Sequence, residues 1–514
     1  MIKPQKNLEA LLIDGQSLNF QQVWQVSLGA CKVELAESSR KLMQKSRDYI
    51  EAGLRRGEVV YGVNTGFGAL SSVKISQADI VQLQKNLIRS HCVGVGDPFS
   101  KEESRAIMLL RANALARGHS GIRPLVVDKI LECLNKDIIP VIPQKGSVGA
   151  SGDLAPLSHL ALAIIGEGQV WEDGKSVPAQ EVFKKCNITP LELQAKEGLS
   201  MINGCQVMTA VGLLNSYRIK RLAQLADLTG AMSLEALKGS RSAFDPLISA
   251  TRPHPGEVKT AKNLRDCLGE SSSISESHVD CDKVQDAYSL RCMPAVHGAV
   301  KDTLRYALEK LELESNSSTD NPLVFSDEAK ILSCGNFHGE PVAFPLDFLG
   351  IAMTALSSIS ECRIEKLINP SMSGLPAFLA PNGGLNSGYM IVQVAAASLV
   401  SENKILSHPA SVDSIPTSAD KEDHVSMGTI AARKLTQILE NTENVIAMEV
   451  LSACQALDIL KPLEASSRVK KAFDVVRTQV PYAPEDRNFS LDINCVQKMI
   501  REGAFTSLIE DLEW

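Results

Sequence analysis

The chain has 514 residues, of which 44% are hydrophobic, 4% aromatic and 22% charged. This is the composition of a globular protein built by aliphatic helix packing, and it excludes a disordered chain. The formal net charge of -7 argues against a nucleic-acid partner bound through its phosphates. The length exceeds what one compact core usually reaches, so several helical layers or an oligomer are expected.

The twelve cysteines are scattered and form no C-x-x-C pair, which is typical of a reduced protein rather than of a disulfide framework. The N-terminal stretch MIKPQKNLEALLIDGQSLNF has no long apolar segment followed by a cleavage site. No run approaches the roughly 20 apolar residues of a membrane span. We therefore expect a cytoplasmic protein with no membrane partner.

The hydrophobic pattern predicts a mainly α protein. Apolar residues at helical spacing predict helices over about 103–117, 154–165, 206–237, 296–313, 391–406 and 429–460. The last stretch contains neither Gly nor Pro, which is typical of a long helix in a bundle. We expect one interwoven unit, in which residues 1–200 form an irregular part with Gly-rich turns and residues 201–514 form a large elongated helical bundle.

The first segment that points to chemistry is YGVNTGFG, residues 61–68. It sets Tyr61 and Asn64 in a turn made mobile by Gly62, Gly66 and Gly68, as in loops that close over a ligand. An ordinary aromatic turn is the plainer interpretation.

The second is GSVGASGDLAPLSH, residues 146–159, in which Ala150-Ser151-Gly152 precedes a helix that Asp153 is expected to cap. A tight turn is the plain interpretation. If the turn brings the Gly152 nitrogen against the Ala150 carbonyl carbon, however, attack closes a five-membered ring. Loss of water there and loss of the Ser151 hydroxyl would leave a methylidene-imidazolone, an electrophile that no unmodified side chain provides. Gly has the least hindered nitrogen, Ala leaves its carbonyl accessible, and Ser carries the oxygen that departs.

The third is QDAYSLRC, residues 285–292, which places Tyr288 and Arg291 three residues apart and so on one face of a helix. A packed or solvated helix face is the plainer alternative.

Together these segments resemble the ammonia-lyase and aminomutase family for aromatic amino acids. The resemblance covers almost the whole chain, through KEGLSMINGCQ (196–206), GSRSAFD (239–245), SSTDNPLVF (317–325), GNFHGEP (335–341), SENKILSHPASVDSIPTSA (401–419) and KEDHVSMGT (421–429). It implies the helical fold shared by ammonia-lyases and fumarases, and a homotetramer with each active site built from three subunits. It also implies 4-methylidene-imidazol-5-one (MIO), formed from Ala150-Ser151-Gly152 with no external cofactor.

The resemblance also implies roles for individual residues. Tyr61 is the expected base for the substrate β-hydrogen, and the prosthetic group takes up the substrate amine; attack by the imidazole ring is the alternative. Arg291 suits the substrate carboxylate because a guanidinium offers a bidentate fork. The residues expected around the substrate and the prosthetic group are Asn203, Gln285, Tyr288, Asn321 and Phe337.

Two positions bear on the substrate. His91 matches the histidine enzymes of the family, whereas phenylalanine enzymes usually carry an apolar residue there, and tyrosine enzymes can also carry His. Glu422 is the stronger indication, since the phenylalanine and tyrosine enzymes carry Gln at this position and a carboxylate can accept from an imidazole N–H. These positions imply deamination of L-histidine to trans-urocanate and ammonia, the first step of histidine degradation.

Other interpretations stay open at this point. The same chemistry could serve a tyrosine or phenylalanine ammonia-lyase, or an aminomutase that returns the amine to the β-carbon. The Ser-rich stretch GESSSISESH, residues 269–278, also suits fumarase-like enzymes, but their M-P-x-K-x-N pattern is missing. A helical scaffold without activity would leave the three segments unexplained. No metal site is predicted, because the nine histidines show neither i,i+4 pairs nor zinc-type spacing.

Overall fold

A computed structural model describes residues 10–280 and 283–514. Within these residues the protein is mainly helical, as predicted, and the strands form four two-stranded sheets. The first nine residues, on which the expectation of no leader segment partly rests, lie outside the described residues.

The chain up to residue 202 consists of short strands and of helices of up to 19 residues. Its strands pair as β1 (Leu11–Ile13) with β2 (Val33–Leu35), β3 (Val95–Pro98) with β4 (Pro143–Lys145), and β5 (Gln169–Glu172) with β6 (Lys175–Pro178). Its helices are α1 (Phe20–Ser27), α2 (Glu37–Arg55), α3 (Ile80–His91), α4 (Lys101–Ala116), α5 (Pro124–Asn135), α6 (Leu154–Ile164), α7 (Ala179–Lys185) and α8 (Glu197–Ile202). The segments between them supply the turns that carry the candidate site.

The second part is built on long helices that pack against one another. These are α9 (Gln206–Ala236), α14 (Met293–Ser315), α15 (Glu340–Ile368), α17 (Met390–Leu406) and α18 (Gly428–Ile459). Shorter elements join or flank them: α10 (Pro246–Thr251), α11 (Pro255–Leu268), α12 (Ser273–Glu276), α13 (Tyr288–Arg291), the hairpin β7 (Leu323–Phe325) and β8 (Lys330–Leu332), α16 (Pro370–Ser373), α19 (Ser467–Arg477), α20 (Phe489–Glu502) and α21 (Thr506–Ile509). The core lies where α15 and α18 pack on α9 and α14.

The two parts are in contact, since α1 and α4 pack against α9. The six helices predicted from periodicity are all present, with ends that differ from the prediction by a few residues. The division at about residue 200 stays a prediction.

Helix α15 was not predicted. Its apolar residues lie on most sides of the helix, so they produce no 3.6-residue period, and Pro341 and Pro345 interrupt its first turns. Pro341 is tolerated because the N–H it lacks has no partner in the first turn, whereas Pro345 lies inside the helix and removes one of its backbone hydrogen bonds.

The same helix corrects a second expectation. By length and hydropathy α15 is long and apolar enough to cross a membrane. The expectation that no stretch of the chain approaches the length of a membrane span is therefore wrong. Of the 18-residue apolar stretch within α15, 67% is buried inside the protein, where the helix packs against α14, α18 and α9. The core helix of a bundle meets the same criterion, and this burial accounts for the apolar composition.

A buried ion pair fixes α15 against α18. Arg363 donates to Glu449 from Nε at 2.5 Å and from Nη2 at 2.9 Å, and both side chains are fully buried. The hydroxyls of Ser233 on α9 and Ser360 on α15 donate to the same carboxylate. The charge is thus paired and hydrogen-bonded, as burial requires.

We expect Glu449→Ala to lower the free energy of unfolding by about 3–5 kcal/mol, because Arg363 would stay buried without its partner. The matched control is Asp266→Ala, which breaks an exposed pair with Lys262 on α11 and should cost less than about 1 kcal/mol. Urea unfolding followed by far-ultraviolet circular dichroism measures both. Equal effects of the two substitutions would contradict the importance of the buried pair.

Candidate active site

The turn between β4 and α6 holds the small triplet Ala150-Ser151-Gly152. Gly152 has φ of 72°, and a Cβ there would lie 2.3 Å from the Gly204 carbonyl oxygen. The Asp153 N–H donates to that same oxygen at 2.8 Å. Only glycine can therefore occupy this position, which lies directly against the segment before α9.

The residue after the triplet was expected to cap α6, and this prediction is wrong. The Asp153 side chain makes no capping hydrogen bond. Its Oδ2 instead accepts the backbone N–H groups of Val207 and Met208 at 2.9 and 3.0 Å, in the first turn of α9. Its Oδ1 accepts the hydroxyls of Ser147 and Thr429 at 3.1 and 2.5 Å. Burial raises the pKa of the Asp153 carboxyl, and the four donors oppose that rise.

Two polar side chains contact Ser151. Its hydroxyl donates to Glu422 Oε1 at 2.6 Å, and its carbonyl oxygen accepts from Asn203 Nδ2 at 2.9 Å. Glu422 Oε2 accepts the Thr417 hydroxyl at 2.7 Å. The triplet is thus held by one acceptor and one donor from distant parts of the chain.

A buried arginine fixes the backbone at Asn203. Arg111 on α4 donates from Nη1 to the Asn203 carbonyl oxygen at 3.0 Å and to Gln206 Oε1 at 2.5 Å. Burial lowers the pKa of the Arg111 guanidinium to about 10, so this group is still charged at neutral pH. Neither Arg111 nor Asp153 was predicted from the sequence to belong to the site. In the sequence each residue stands out only as an isolated charge within an apolar stretch.

A cavity of about 870 Å³ opens in front of the triplet. Eight of the predicted site residues line it: Tyr61, His91, Ala150, Ser151, Asn203, Asn321, Phe337 and Glu422. Apolar side chains including Phe67, Leu87 and Leu199 cover part of its wall. The structure therefore brings together most of the predicted site from segments that are far apart in sequence.

Tyr61 reaches this cavity from a turn, and His91 reaches it from the end of a helix. Tyr61 lies in the turn after α2, and its hydroxyl oxygen accepts the Gly68 N–H at 3.4 Å. Next to it, Gly62 has φ of 70°, and a Cβ there would meet Leu199.

His91 is the last residue of α3, with Nδ1 2.8 Å from the Leu87 carbonyl oxygen. That oxygen can only accept, so Nδ1 carries the proton. Burial lowers the pKa of His91.

Three predicted residues lie elsewhere in this chain. Gln285 and Arg291 line a separate cavity of about 700 Å³, together with Ser271, Ser275 and His278 of the Ser-rich stretch. Tyr288 is 71% exposed, and its ring lies 4.5 Å from the Arg291 guanidinium carbon. Within the described residues, one chain does not bring these three side chains to the Ala150-Ser151-Gly152 turn.

Sequence reasoning also missed a cluster at the edge of the first cavity. The ligand-type atoms of His338, Glu340 and His424 all lie within 4.8 Å of one another. Both ring nitrogens of His338 have backbone partners, Nε2 at the His424 carbonyl oxygen and Nδ1 at the Glu340 N–H. We therefore assign no ion to it, and the expectation of no metal site stays a prediction. Residues 86 positions apart give no spacing signal that could have found this cluster.

We expect Gly152→Ala to destabilise the protein by at least about 3 kcal/mol, because it combines positive φ with a backbone clash. Gly174→Ala is the matched control: its φ is 74°, but a Cβ there meets nothing within 4 Å. That substitution should cost only about 1–2 kcal/mol. Thermal unfolding of both variants measures the difference, and similar losses would show that the clash does not matter.

Comparison with known proteins gives a consistent result. Residues 18–478 match the profile of the aromatic amino acid lyases. A histidine ammonia-lyase of Koribacter versatilis is 51% identical over 513 residues, which cover 97% of this chain and 99% of that protein. The crystal structure of histidine ammonia-lyase from Trypanosoma cruzi is similar with a TM-score of 0.91 and 42% identity, covering 98% and 95% of the two chains. The crystal structure of tyrosine aminomutase from Streptomyces globisporus is similar with a TM-score of 0.93 and 39% identity, covering 98% of this chain and 99% of that chain.

Proposed function

This chain belongs to the aromatic amino acid lyases, a family of carbon–nitrogen lyases, and we propose that it converts L-histidine into trans-urocanate and ammonia. The observation that carries the substrate assignment is Glu422, whose carboxylate lies 2.6 Å from the Ser151 hydroxyl in a cavity also lined by His91. A carboxylate there can accept an imidazole N–H, whereas a benzene ring offers it no donor.

The residues of the triplet fit the prosthetic group expected of this family. Gly152 has no room for a side chain, Ala150 is small, and the Ser151 hydroxyl faces the cavity. Once formed from these residues, MIO supplies an electrophilic methylidene carbon. Asn203, which donates to the Ser151 carbonyl oxygen at 2.9 Å, would hold the group in place, and no external cofactor is proposed.

The other side chains divide the remaining tasks. We assign Tyr61 as the base that takes the β-hydrogen, because it lines the cavity in front of the triplet on a Gly-rich turn. His91 offers an unprotonated Nε2 as an acceptor for a substrate N–H. Phe337 and Asn321 shape the wall of the cavity.

The lining of this cavity includes Lys421 but no arginine, so among the described residues of one chain the substrate carboxylate has no bidentate guanidinium partner there. We propose that Arg291 provides it from a neighbouring subunit, together with Tyr288 and Gln285, in a homotetramer whose sites are shared. Support comes from the exposure of Tyr288 and from apolar side chains on the outer faces of α15 and α17, which are Phe344, Phe348, Ile351, Ile391 and Val394. Such faces are typical of subunit interfaces. We place the tetramer in the cytoplasm, with no nucleic-acid or membrane partner.

The second candidate is a tyrosine or phenylalanine ammonia-lyase, or an aminomutase, using the same chemistry. It is favoured by the similarity to tyrosine aminomutase, with a TM-score of 0.93. A tyrosine or phenylalanine ammonia-lyase would differ in the amino acid consumed, and an aminomutase would differ in releasing no ammonia.

We expect the purified protein to produce a conjugated near-ultraviolet band and free ammonia from L-histidine. Ser151→Ala should reduce this rate by at least about a thousandfold, because no electrophile can form. The matched control is Ser158→Ala on α6, whose hydroxyl donates only to the Leu154 carbonyl oxygen and which should retain turnover. L-tyrosine and L-phenylalanine are assayed in parallel. Turnover of either in preference to L-histidine would overturn the substrate assignment, and an active Ser151→Ala would overturn the electrophile.

A further inference from the structure

The carboxylate of Glu422 is held on both sides by side-chain hydroxyls. Oε1 accepts the Ser151 hydroxyl at 2.6 Å and Oε2 accepts the Thr417 hydroxyl at 2.7 Å. The backbones of Thr417 and Glu422 also exchange hydrogen bonds, at 2.9 and 3.3 Å. A short two-residue ladder therefore fixes where this carboxylate lies relative to the triplet.

Among the residues that the structure describes, Glu422 is the hydrogen-bond partner of the Ser151 hydroxyl. Ser151 and Glu422 are 271 positions apart in the chain, so the contact exists only after the triplet turn and the 417–422 ladder have come together. The unmodified Ser151 side chain is the precursor from which the ring would form.

We infer that Glu422 acts during maturation as well as during turnover, as the positioning residue that orients the Ser151 hydroxyl for its departure. This inference rests on the proposed function, because it presupposes that the triplet cyclises. It gives one carboxylate two successive partners: the Ser151 hydroxyl in the precursor and the substrate imidazole in the mature enzyme.

The chemistry balances as two dehydrations. The Gly152 nitrogen forms a bond to the Ala150 carbonyl carbon, and the carbonyl oxygen leaves as water with the hydrogens of the Gly152 and Ser151 nitrogens. The Ser151 Cβ–Oγ bond then breaks, and the departing hydroxide leaves as the second water with the proton released by the Ser151 α-carbon. Holding Oγ in one rotamer favours this second step, because the bond that breaks must keep a fixed direction relative to the Cα–H bond.

The loss of the Ser151 hydroxyl also explains how Glu422 becomes available to the substrate. Oε1 of Glu422 loses its partner when the second water leaves, at the edge of the cavity where the substrate is expected. The freed Oε1 can then accept from a donor in the cavity, and the imidazole N–H is such a donor. Maturation would thereby create the histidine-binding acceptor.

Accepting a hydrogen bond does not require charge, and this separates the two roles. Glu422→Gln keeps an amide oxygen that can accept the Ser151 hydroxyl, so the variant should mature at a rate within about twofold of the wild type. It loses the carboxylate for the imidazole and should have lower kcat/KM for L-histidine. Glu422→Ala removes the acceptor altogether and should mature about tenfold more slowly or worse.

The test is cell-free synthesis of the full-length chain, with samples taken over time for intact-mass measurement. The mature chain is lighter than the precursor by two water molecules, so the matured fraction is read without any assay of activity. Thr417→Val, which frees one side of the Glu422 carboxylate, should slow maturation by about threefold. Asp423→Ala is the matched control, since Asp423 lines the same cavity but does not bind Ser151.

Each outcome decides the matter. Slow maturation of Glu422→Ala with normal maturation of Glu422→Gln and Asp423→Ala supports the inference. A Glu422→Ala chain that loses both waters as fast as the wild type overturns it. If Glu422→Ala does not fold, as judged by circular dichroism, Thr417→Val decides in its place, and a wild-type rate overturns the inference. A wild-type chain that loses no water at all overturns the proposed function itself.

Discussion

The buried carboxylate of Asp153 is the contact on which the rest of the site depends. It follows the small triplet directly, and its oxygens bind the start of α9 and the first turn of α18 through Val207, Met208 and Thr429. A buried acid with four donors is costly to displace, so the turn is held in one place between two core helices. Bundle stability and site chemistry are thereby coupled through one side chain.

Much of the fold could be predicted from the sequence, for reasons that particular helices illustrate. Helix α18 carries apolar residues at helical spacing, and neither α9 nor α18 contains a proline, so the ends of both fall within about a residue of the prediction. Helix α15 is nearly as long but is apolar on most sides and contains Pro345, so neither periodicity nor composition marked it as a helix. The exposed face of α15 is itself apolar, with Phe344, Phe348 and Ile351, so this helix lacks the amphipathic pattern on which the prediction relies.

The candidate site was predictable where its chemistry resides in local segments. Ala150-Ser151-Gly152, Tyr61 and Glu422 were identified by their motifs, and the structure places Ala150, Ser151, Tyr61 and Glu422 around one cavity. The hydrogen bond between Ser151 and Glu422 could not be predicted, because a contact between distant segments depends on how whole helices pack. Asp153 was expected to cap its own helix, but buried N–H groups at the start of α9 compete for its carboxylate, and tertiary packing decides between the two.

The central claim is that the Tyr61 cavity and the Tyr288–Arg291 segment form one site only between subunits. The most direct measurement co-produces two inactive chains, Ser151→Ala and Arg291→Met, and assays the purified mixed tetramers with L-histidine. Each chain alone lacks an essential group, but a mixed tetramer can combine the intact triplet of one chain with the intact arginine of the other. With random assembly about a quarter of the sites would be complete, so we expect about a quarter of wild-type activity. Mixed tetramers with no activity above either parent would contradict the shared site.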